Sequence, residues 1–148
     1  MTSLRIRKRY ALLLGVLGLL GCSSGKPATT GPAAPETAEE RLTAIGKAYL
    51  KAASRLGKPP RGAEDIKDDV EGGFTPELLR SPNDNEPFVI LWGVDLNKLP
   101  KSGDAGPILA YEKRGKEGKR FVLRYPLAVA QLSEEEFSKA PMAPVTPP

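Results

Sequence analysis

The chain has no histidine and only one cysteine among its 148 residues. Without histidine, the Ser-His-Asp and Cys-His arrangements that activate a nucleophile are excluded. Zinc sites of the usual protein type are disfavoured, because carboxylates alone rarely form one. A single cysteine also excludes an intrachain disulfide bond. No glycine-rich loop links a strand to a helix, so neither a phosphate-binding motif nor a cofactor is predicted.

Long apolar runs are absent as well, and none reaches the ~20 residues that a transmembrane helix needs. The apolar run at residues 11–20 is about half that length, and a cluster of basic side chains precedes it. The basic residues are Arg5, Arg7, Lys8 and Arg9. A basic segment followed by a short apolar one is typical of a secretory signal peptide, which we predict for residues 1–21.

The end of this leader, Leu19-Leu20-Gly21-Cys22, resembles the lipobox of bacterial lipoproteins. The cysteine of a lipobox receives a diacylglyceryl group, becomes the new amino terminus and is usually acylated again. The resemblance implies that Cys22 attaches the exported chain to a membrane. Ser23, in place of an aspartate, resembles lipoproteins released to the outer membrane, facing the periplasm. The alternative is a plain secretory signal with a leftover cysteine.

Removal of the leader changes the charge of the chain. The full sequence carries a net charge of +4, but residues 1–21 contain four basic and no acidic side chains. The remainder has 18 basic and 18 acidic side chains. The basic surplus that would favour nucleic acid therefore disappears, and no nucleic-acid partner is predicted.

Composition then divides the rest of the chain into three parts. Residues 22–35 carry the cysteine followed by Ser, Gly, Thr, Ala and Pro, which predicts a flexible tether. Residues 36–140 have a suitable length for a single domain. Residues 141–148 contain four prolines, which predict a disordered tail, although their P-x-x-P spacing could also form a docking peptide.

The domain opens with its clearest helix signal. Thr37 and Glu40 have the spacing of a capping box. Apolar residues then recur at steps of three and four, and Gly57 followed by prolines predicts the end of the helix. The apolar positions are Leu42, Ile45, Tyr49, Ala52 and Leu56. We expect this amphipathic helix to bury that stripe, including Tyr49, against a sheet.

Three to four strands are predicted after the helix. The unbroken apolar run at residues 88–92, which ends at Trp92, predicts a central strand. Residues 108–113 and 119–125 predict a hairpin joined by a glycine-containing turn. Residues 127–132 predict a last short strand, followed by a helical turn. The predicted fold class is α+β, with an N-terminal amphipathic helix packed on a small antiparallel meander.

Several short segments resemble type II secretion pseudopilin-like proteins. They are residues 42–49 and 57–60, residues 81–84 with the strand that ends at Gly93, and residues 122–137. The resemblance implies a helix packed on a small antiparallel sheet. It does not imply pilus assembly, because pseudopilins polymerise through a long apolar N-terminal helix. In this chain a lipid and a tether would replace that helix.

Carboxylates are the only remaining route to acid-base catalysis or to a hard metal ion. The acidic candidates are Asp65, Asp68, Asp69, Glu71, Asp84 and Glu86. A carboxylate-dependent hydrolase needs two such groups at a fixed separation in a cleft. The turn Asn83-Asp84-Asn85-Glu86 also concentrates calcium-type ligands, although it lacks the EF-hand spacing. An ordinary surface turn is the simpler interpretation.

These features together predict a membrane-anchored, exported lipoprotein that acts as a noncatalytic binding or structural module of the cell envelope. Its partners would be the membrane and either an envelope protein or a cell-wall polymer. A basic hairpin could contact an anionic polymer, although Glu112 and Glu117 dilute its charge. The alternatives are a carboxylate-dependent envelope hydrolase and an accessory protein of a secretion or pilus-like apparatus.

Overall fold

A computed structural model of the chain describes residues 35–100 and 106–146. The helices and strands follow one another in the order α1 (Ala38–Leu56), α2 (Ala63–Ile66), β1 (Val89–Ile90), β2 (Ile108–Tyr111), β3 (Lys119–Arg124), β4 (Ala128–Ser133) and α3 (Glu134–Lys139). Short 3₁₀ turns lie at Lys67–Asp69, Pro76–Leu79 and Leu96–Lys98. The predicted signal peptide and residues 22–34 of the predicted tether lie outside the described residues.

Helix α1 begins and ends where its capping residues predict. The Thr37 Oγ1 accepts a hydrogen bond from the Glu40 N–H at 3.2 Å, and the Glu40 carboxylate accepts one from the Thr37 N–H at 3.0 Å. This second bond, to the Thr37 N–H, is the main cause that lowers the pKa of Glu40. Gly57 ends the helix in the left-handed region at φ 65°, which glycine adopts without steric cost.

The four strands form one antiparallel sheet in the order β1-β2-β3-β4. Each strand therefore lies beside its neighbour in sequence, which is a meander. The β2–β3 hairpin turns through Gly115, at φ 73°, where a Cβ atom would lie 2.1 Å from the Lys119 carbonyl oxygen. The α+β fold class and the predicted hairpin are confirmed.

The apolar run at residues 88–92 does not form the predicted central strand. Only Val89 and Ile90 form a strand beside β2, with one further hydrogen bond from the Leu91 N–H to the Leu109 carbonyl oxygen, and β1 lies at the edge of the sheet. The Phe88 N–H donates to the Leu79 carbonyl oxygen, outside the sheet. Beyond Ile90 the chain turns at Gly93, whose φ is 77°. Within this run Phe88 is buried, whereas Ile90, Leu91 and Trp92 are half-buried and pack against the core to which α1 contributes.

Helix α1 packs closely on one face of the sheet. Strand alternation and register place Leu123 and its partner Val129 on that face. Gly46 permits the close approach, because a Cβ atom at this position would lie 2.7 Å from Leu127 Cδ2 and 3.0 Å from Leu123 Cδ2. The Tyr49 ring stacks on Trp92 with centroids 5.8 Å apart. The prediction that Tyr49 belongs to the core is confirmed, since it is 2% exposed.

Helix α3 covers part of the opposite face. Ser133 and Glu136 form its capping box, and its Phe137 ring packs against Tyr111 of β2 with centroids 4.9 Å apart. The guanidinium of Arg120 lies 4.2 Å from the centre of the same ring, which is a cation–π contact. Val122, which points to this face from β3, is fully buried.

Residues 141–146, predicted as part of a disordered tail, instead pair with the domain. The Ala143 N–H donates to the Ile108 carbonyl oxygen at 2.9 Å, and the Thr146 N–H donates to the Gly93 carbonyl oxygen at 3.1 Å. Ala143 is 4% exposed. The prolines of this segment are compatible with single extended pairings, because Ala143 and Thr146, which are not prolines, supply the required N–H groups.

Candidate functional site

The predicted lipid-attachment residue, Cys22, lies outside the described residues. The described chain starts two residues before Thr37, the N-cap of α1. Among the helices that are described, none has the length and apolar character that crossing a bilayer requires. The residues that follow Cys22 lead directly into the first helix of the domain.

The acidic candidates at residues 65–71 lie beside basic side chains of α1. The Arg55 guanidinium binds the Asp69 carboxylate at 2.7 Å, and the Lys51 Nζ binds the Glu71 carboxylate at 2.8 Å. The hydrogen bond from Lys51 lowers the pKa of Glu71. Asp65 accepts a hydrogen bond from the Arg61 N–H at 2.7 Å. The contacts of Arg55 and Lys51 fix the segment that follows α2 to α1, and Asp69 and Glu71 are each paired with a basic side chain.

The calcium candidates of the turn Asn83-Asp84-Asn85-Glu86 serve a different purpose. Asp84 accepts hydrogen bonds from three N–H groups, at 2.9 Å from Arg114, 2.9 Å from Gly115 and 3.0 Å from Glu86. Burial raises the pKa of Asp84, but these N–H groups outweigh it and the pKa is lowered. The turn is thereby docked on the β2–β3 hairpin.

The other carboxylate of this turn, Glu86, binds the guanidinium of Arg114 and lies 3.6 Å from the Lys113 Nζ. Its pKa is lowered mainly by the hydrogen bond from Arg114. Within residues 35–100 and 106–146, no group of three or more acidic or cysteine side chains is arranged to hold a metal ion. The carboxylate of Glu86 therefore neutralises part of the positive charge of the β2–β3 hairpin. The sequence had suggested this hairpin as a possible contact for an anionic polymer.

Glu112 is a buried, hydrogen-bonded carboxylate that the sequence pattern did not indicate as a candidate site residue. Its side chain is fully buried immediately after β2. One carboxylate oxygen accepts hydrogen bonds from the Ser81 Oγ and from the Asn83 Nδ2, the latter at 2.7 Å. The other oxygen accepts the Phe121 N–H at 2.7 Å. We call Ser81, Asn83, Glu112 and the Phe121 N–H the polar cluster.

The polar cluster has the geometry of a structural joint. Ser81 is 1% exposed, and its Oγ, which donates to Glu112, also accepts the Asn83 N–H at 3.0 Å, so Ser81 links the backbone of the turn to the carboxylate. Buried polar groups are costly unless they are hydrogen-bonded, and here each carboxylate oxygen has a donor. No second carboxylate takes part. The cluster therefore joins the turn to both strands of the hairpin and has no open position for a substrate.

An open groove of about 530 Å³ lies at the C-terminal end of α1. Its lining combines apolar and polar side chains: Leu50, Ala53, Ser54, Gly57, Lys58, Pro59, Val94, Asp95, Leu96, Asn97 and Tyr125. Asp95 is the only carboxylate in this lining, and its oxygens accept the Asn97 N–H at 3.1 Å and lie 3.4 Å from the Lys98 Nζ. The groove has the size of a small-ligand site, and its lining holds one carboxylate instead of the two that a carboxylate-dependent hydrolase needs.

Comparison of the chain with protein-family models, with curated proteins and with solved structures gives no match. The resemblance to pseudopilin-like proteins therefore stays a prediction from short segments. The functional class is inferred from the leader, from the pairing of the acidic side chains and from the groove.

Proposed function

We propose that this protein is an exported lipoprotein, anchored through Cys22, whose domain acts as a noncatalytic binding or structural module of the cell envelope. The observation that carries the proposal is Leu19-Leu20-Gly21-Cys22 directly after a basic and then apolar leader. In this setting the only thiol of the chain is a lipid-attachment site. An anchor of this kind holds the domain on a membrane facing away from the cytoplasm, and Ser23 favours the outer membrane.

The physics of anchoring supports this arrangement. Each buried methylene contributes ~0.8 kcal/mol, so one short acyl chain binds reversibly whereas two or three chains hold a protein stably. Between Cys22 and the N-cap Thr37 lie 14 residues rich in Pro, Ala, Gly and Thr. A flexible segment of that length spans roughly 20 Å, which is enough to lift a folded domain clear of the lipid head groups.

The environment of the carboxylates supports a noncatalytic domain. Asp69, Glu71, Asp84 and Glu86 are engaged by basic side chains or by backbone N–H groups, and Glu112 is enclosed by its donors. The groove beside α1 presents Ser54, Lys58 and Asn97 among apolar side chains, which suits the binding of a small ligand or a chain end. Binding of this kind requires no catalytic carboxylate.

The proposal is tested by replacing the predicted attachment residue. We expect Cys22→Ala to abolish incorporation of a labelled fatty acid and to move the protein from the membrane pellet to the soluble fraction, because the anchor is lost. Ser24→Ala is the matched control, since it changes a neighbouring small residue and leaves the thiol intact. Fractionation, labelling and intact-mass spectrometry of the full chain provide the measurements.

The proposal fails if Cys22→Ala stays in the membrane fraction to the same extent as the unmodified sequence. It also fails if the mass of the purified protein shows Met1 as the first residue or an unmodified thiol at Cys22. Equal fatty-acid labelling of Cys22→Ala and Ser24→Ala would contradict it independently of fractionation.

A further inference from the structure

Within residues 35–100 and 106–146, one edge of the sheet has no backbone partner along its length. Strand β4 pairs with β3 at all six of its residues, from Ala128 opposite Arg124 to Ser133 opposite Lys119. None of the backbone hydrogen bonds between described residues involves the other edge of β4. Apart from the Ser133 N–H, which the Glu136 carboxylate caps, that edge offers unpaired donors and acceptors.

The open edge also lacks the features that normally prevent strand addition. Natural sheet edges are protected by charged side chains, proline, bulges or short length. The sequence of β4, Ala-Val-Ala-Gln-Leu-Ser, has no charge and no proline, and its register against β3 is continuous. The opposite edge, β1, has two residues and follows Pro87. Only one of the two edges is therefore suited to pairing.

We propose that β4 pairs with β4 of a second copy of this chain, antiparallel and about a twofold axis, so that two sheets become one of eight strands. Such a contact is isologous, because the same surface is used on both copies. The main-chain groups of β4 would supply the hydrogen bonds, as in other cases of strand addition. This inference concerns assembly and does not depend on the anchor proposed above.

Self-complementarity favours a second copy over an unrelated peptide. Facing residues of an antiparallel pair project to the same face of a sheet, whereas residues i and i+1 of one strand project to opposite faces. Twofold pairing must therefore place one residue opposite its own copy, and the two registers that pair most of β4 centre on Ala130 and on Gln131. In both registers no charged residue meets its own copy, since residues 127–133 carry no charge. Like charges at such positions would be destabilising.

An exposed apolar residue, Leu127, lies beside the proposed contact surface. Leu127 lies immediately before β4, is 36% exposed and has its Cδ2 atom close to Gly46 of α1. In the register centred on Ala130, Leu127 would lie opposite Ser133 of the second copy. Six residues a side is fewer than the roughly 20–30 of a standard interface, so we expect a weak dimer that dissociates on dilution.

The test introduces a charged residue in place of Gln131, whose side chain is exposed. The full chain is purified in detergent micelles. Sedimentation over a wide concentration range should show a monomer–dimer equilibrium. We expect Gln131→Lys and Gln131→Glu each to weaken dimerisation at least about fivefold, because identical charges then lie opposite or diagonally adjacent. An equimolar mixture of the two variants should restore the dimer. Thermal melting of each variant checks that the fold is unchanged.

A second measurement locates the contact in intact envelopes. Gln131→Cys should form cross-linked dimers under mild oxidation, whereas Glu64→Cys, exposed on α2, should form few. The unmodified sequence reports any cross-linking through Cys22, so failure of the lipid anchor is distinguishable from failure of the dimer. A monomer at every concentration overturns the proposal. A dimer that both Gln131 charge variants leave unchanged overturns it as well, because the contact then lies elsewhere.

Discussion

The interface between α1 and the sheet and the polar cluster around Glu112 both contain fully buried side chains, but these are stabilised by different means. Under α1, apolar side chains such as Leu42, Ile45 and Leu123 are each at most 1% exposed and form one continuous contact area. In the polar cluster a single carboxylate is enclosed by a hydroxyl, an amide side chain and a backbone N–H.

The two regions should differ in how much stability a substitution removes. Apolar contacts are non-directional, so neighbouring side chains can shift and recover part of a lost contact. Hydrogen bonds to a buried carboxylate are directional, and removal of the acceptor leaves several donors without a partner. The apolar interface should therefore respond gradually to substitution, whereas the polar cluster should respond abruptly.

The largest expected effect is at the acceptor of the polar cluster. We predict that Glu112→Ala lowers the free energy of unfolding by about 3–5 kcal/mol, because Ser81, Asn83 and the Phe121 N–H each lose their partner. Urea denaturation of the full chain measures the change. Glu117→Ala, at an exposed position of the same hairpin, is the control and should change stability by less than about 0.5 kcal/mol. Equal losses in the two variants would contradict a structural role of the cluster.

A smaller effect is expected where α1 approaches the sheet. Gly46→Leu should destabilise the domain by about 1–3 kcal/mol, because its side chain would occupy the space of Leu123 and Leu127. Gly46→Ala is the graded control. Its Cβ meets only the flexible ends of those leucines, and alanine favours the helix by about 1 kcal/mol over glycine. Thermal or urea unfolding compares the two, and a loss as large for alanine as for leucine would show that this interface cannot adjust.

The smallest expected effect is a pH dependence at the docked turn. The pKa of Asp84 in the folded chain is lowered from its ordinary 3.8, so its contribution to stability is present above that pH and is lost as pH falls through the folded value. Asp84→Asn should lower stability at neutral pH by about 0.5–1.5 kcal/mol and should flatten the loss of stability in acid. Urea unfolding from pH 6 to about pH 2 measures both. An acid dependence identical to that of the unmodified sequence would refute the assignment, with Glu117→Gln as the control.

The sequence predicts those parts of the fold that local signals determine. Thr37, Glu40 and Gly57 specify the ends of α1, because capping and the left-handed conformation depend on neighbouring residues only. The β2–β3 hairpin follows from its glycines in the same way. The α+β class follows from the order of these elements.

Features that depend on distant residues could not be predicted. The apolar run ending at Trp92 has the composition of a central strand, and only the tertiary contacts show that β1 is an edge. Glu112 sits in a charged hairpin, and nothing nearby in sequence indicates that Ser81 and Asn83, about 30 residues earlier, enclose it. The docking of Asp84 could not be predicted for the same reason, since two of the three N–H groups that it accepts lie on the hairpin.

The extended segment after α3 has a practical consequence for shortening the chain. A truncation chosen from composition would stop at Ala140 and would discard Ala143, which is almost completely enclosed, together with the strand-like contacts to Ile108 and Gly93. A trimmed protein should therefore keep residues up to at least Thr146, and a purification tag is better placed beyond that residue than in front of it.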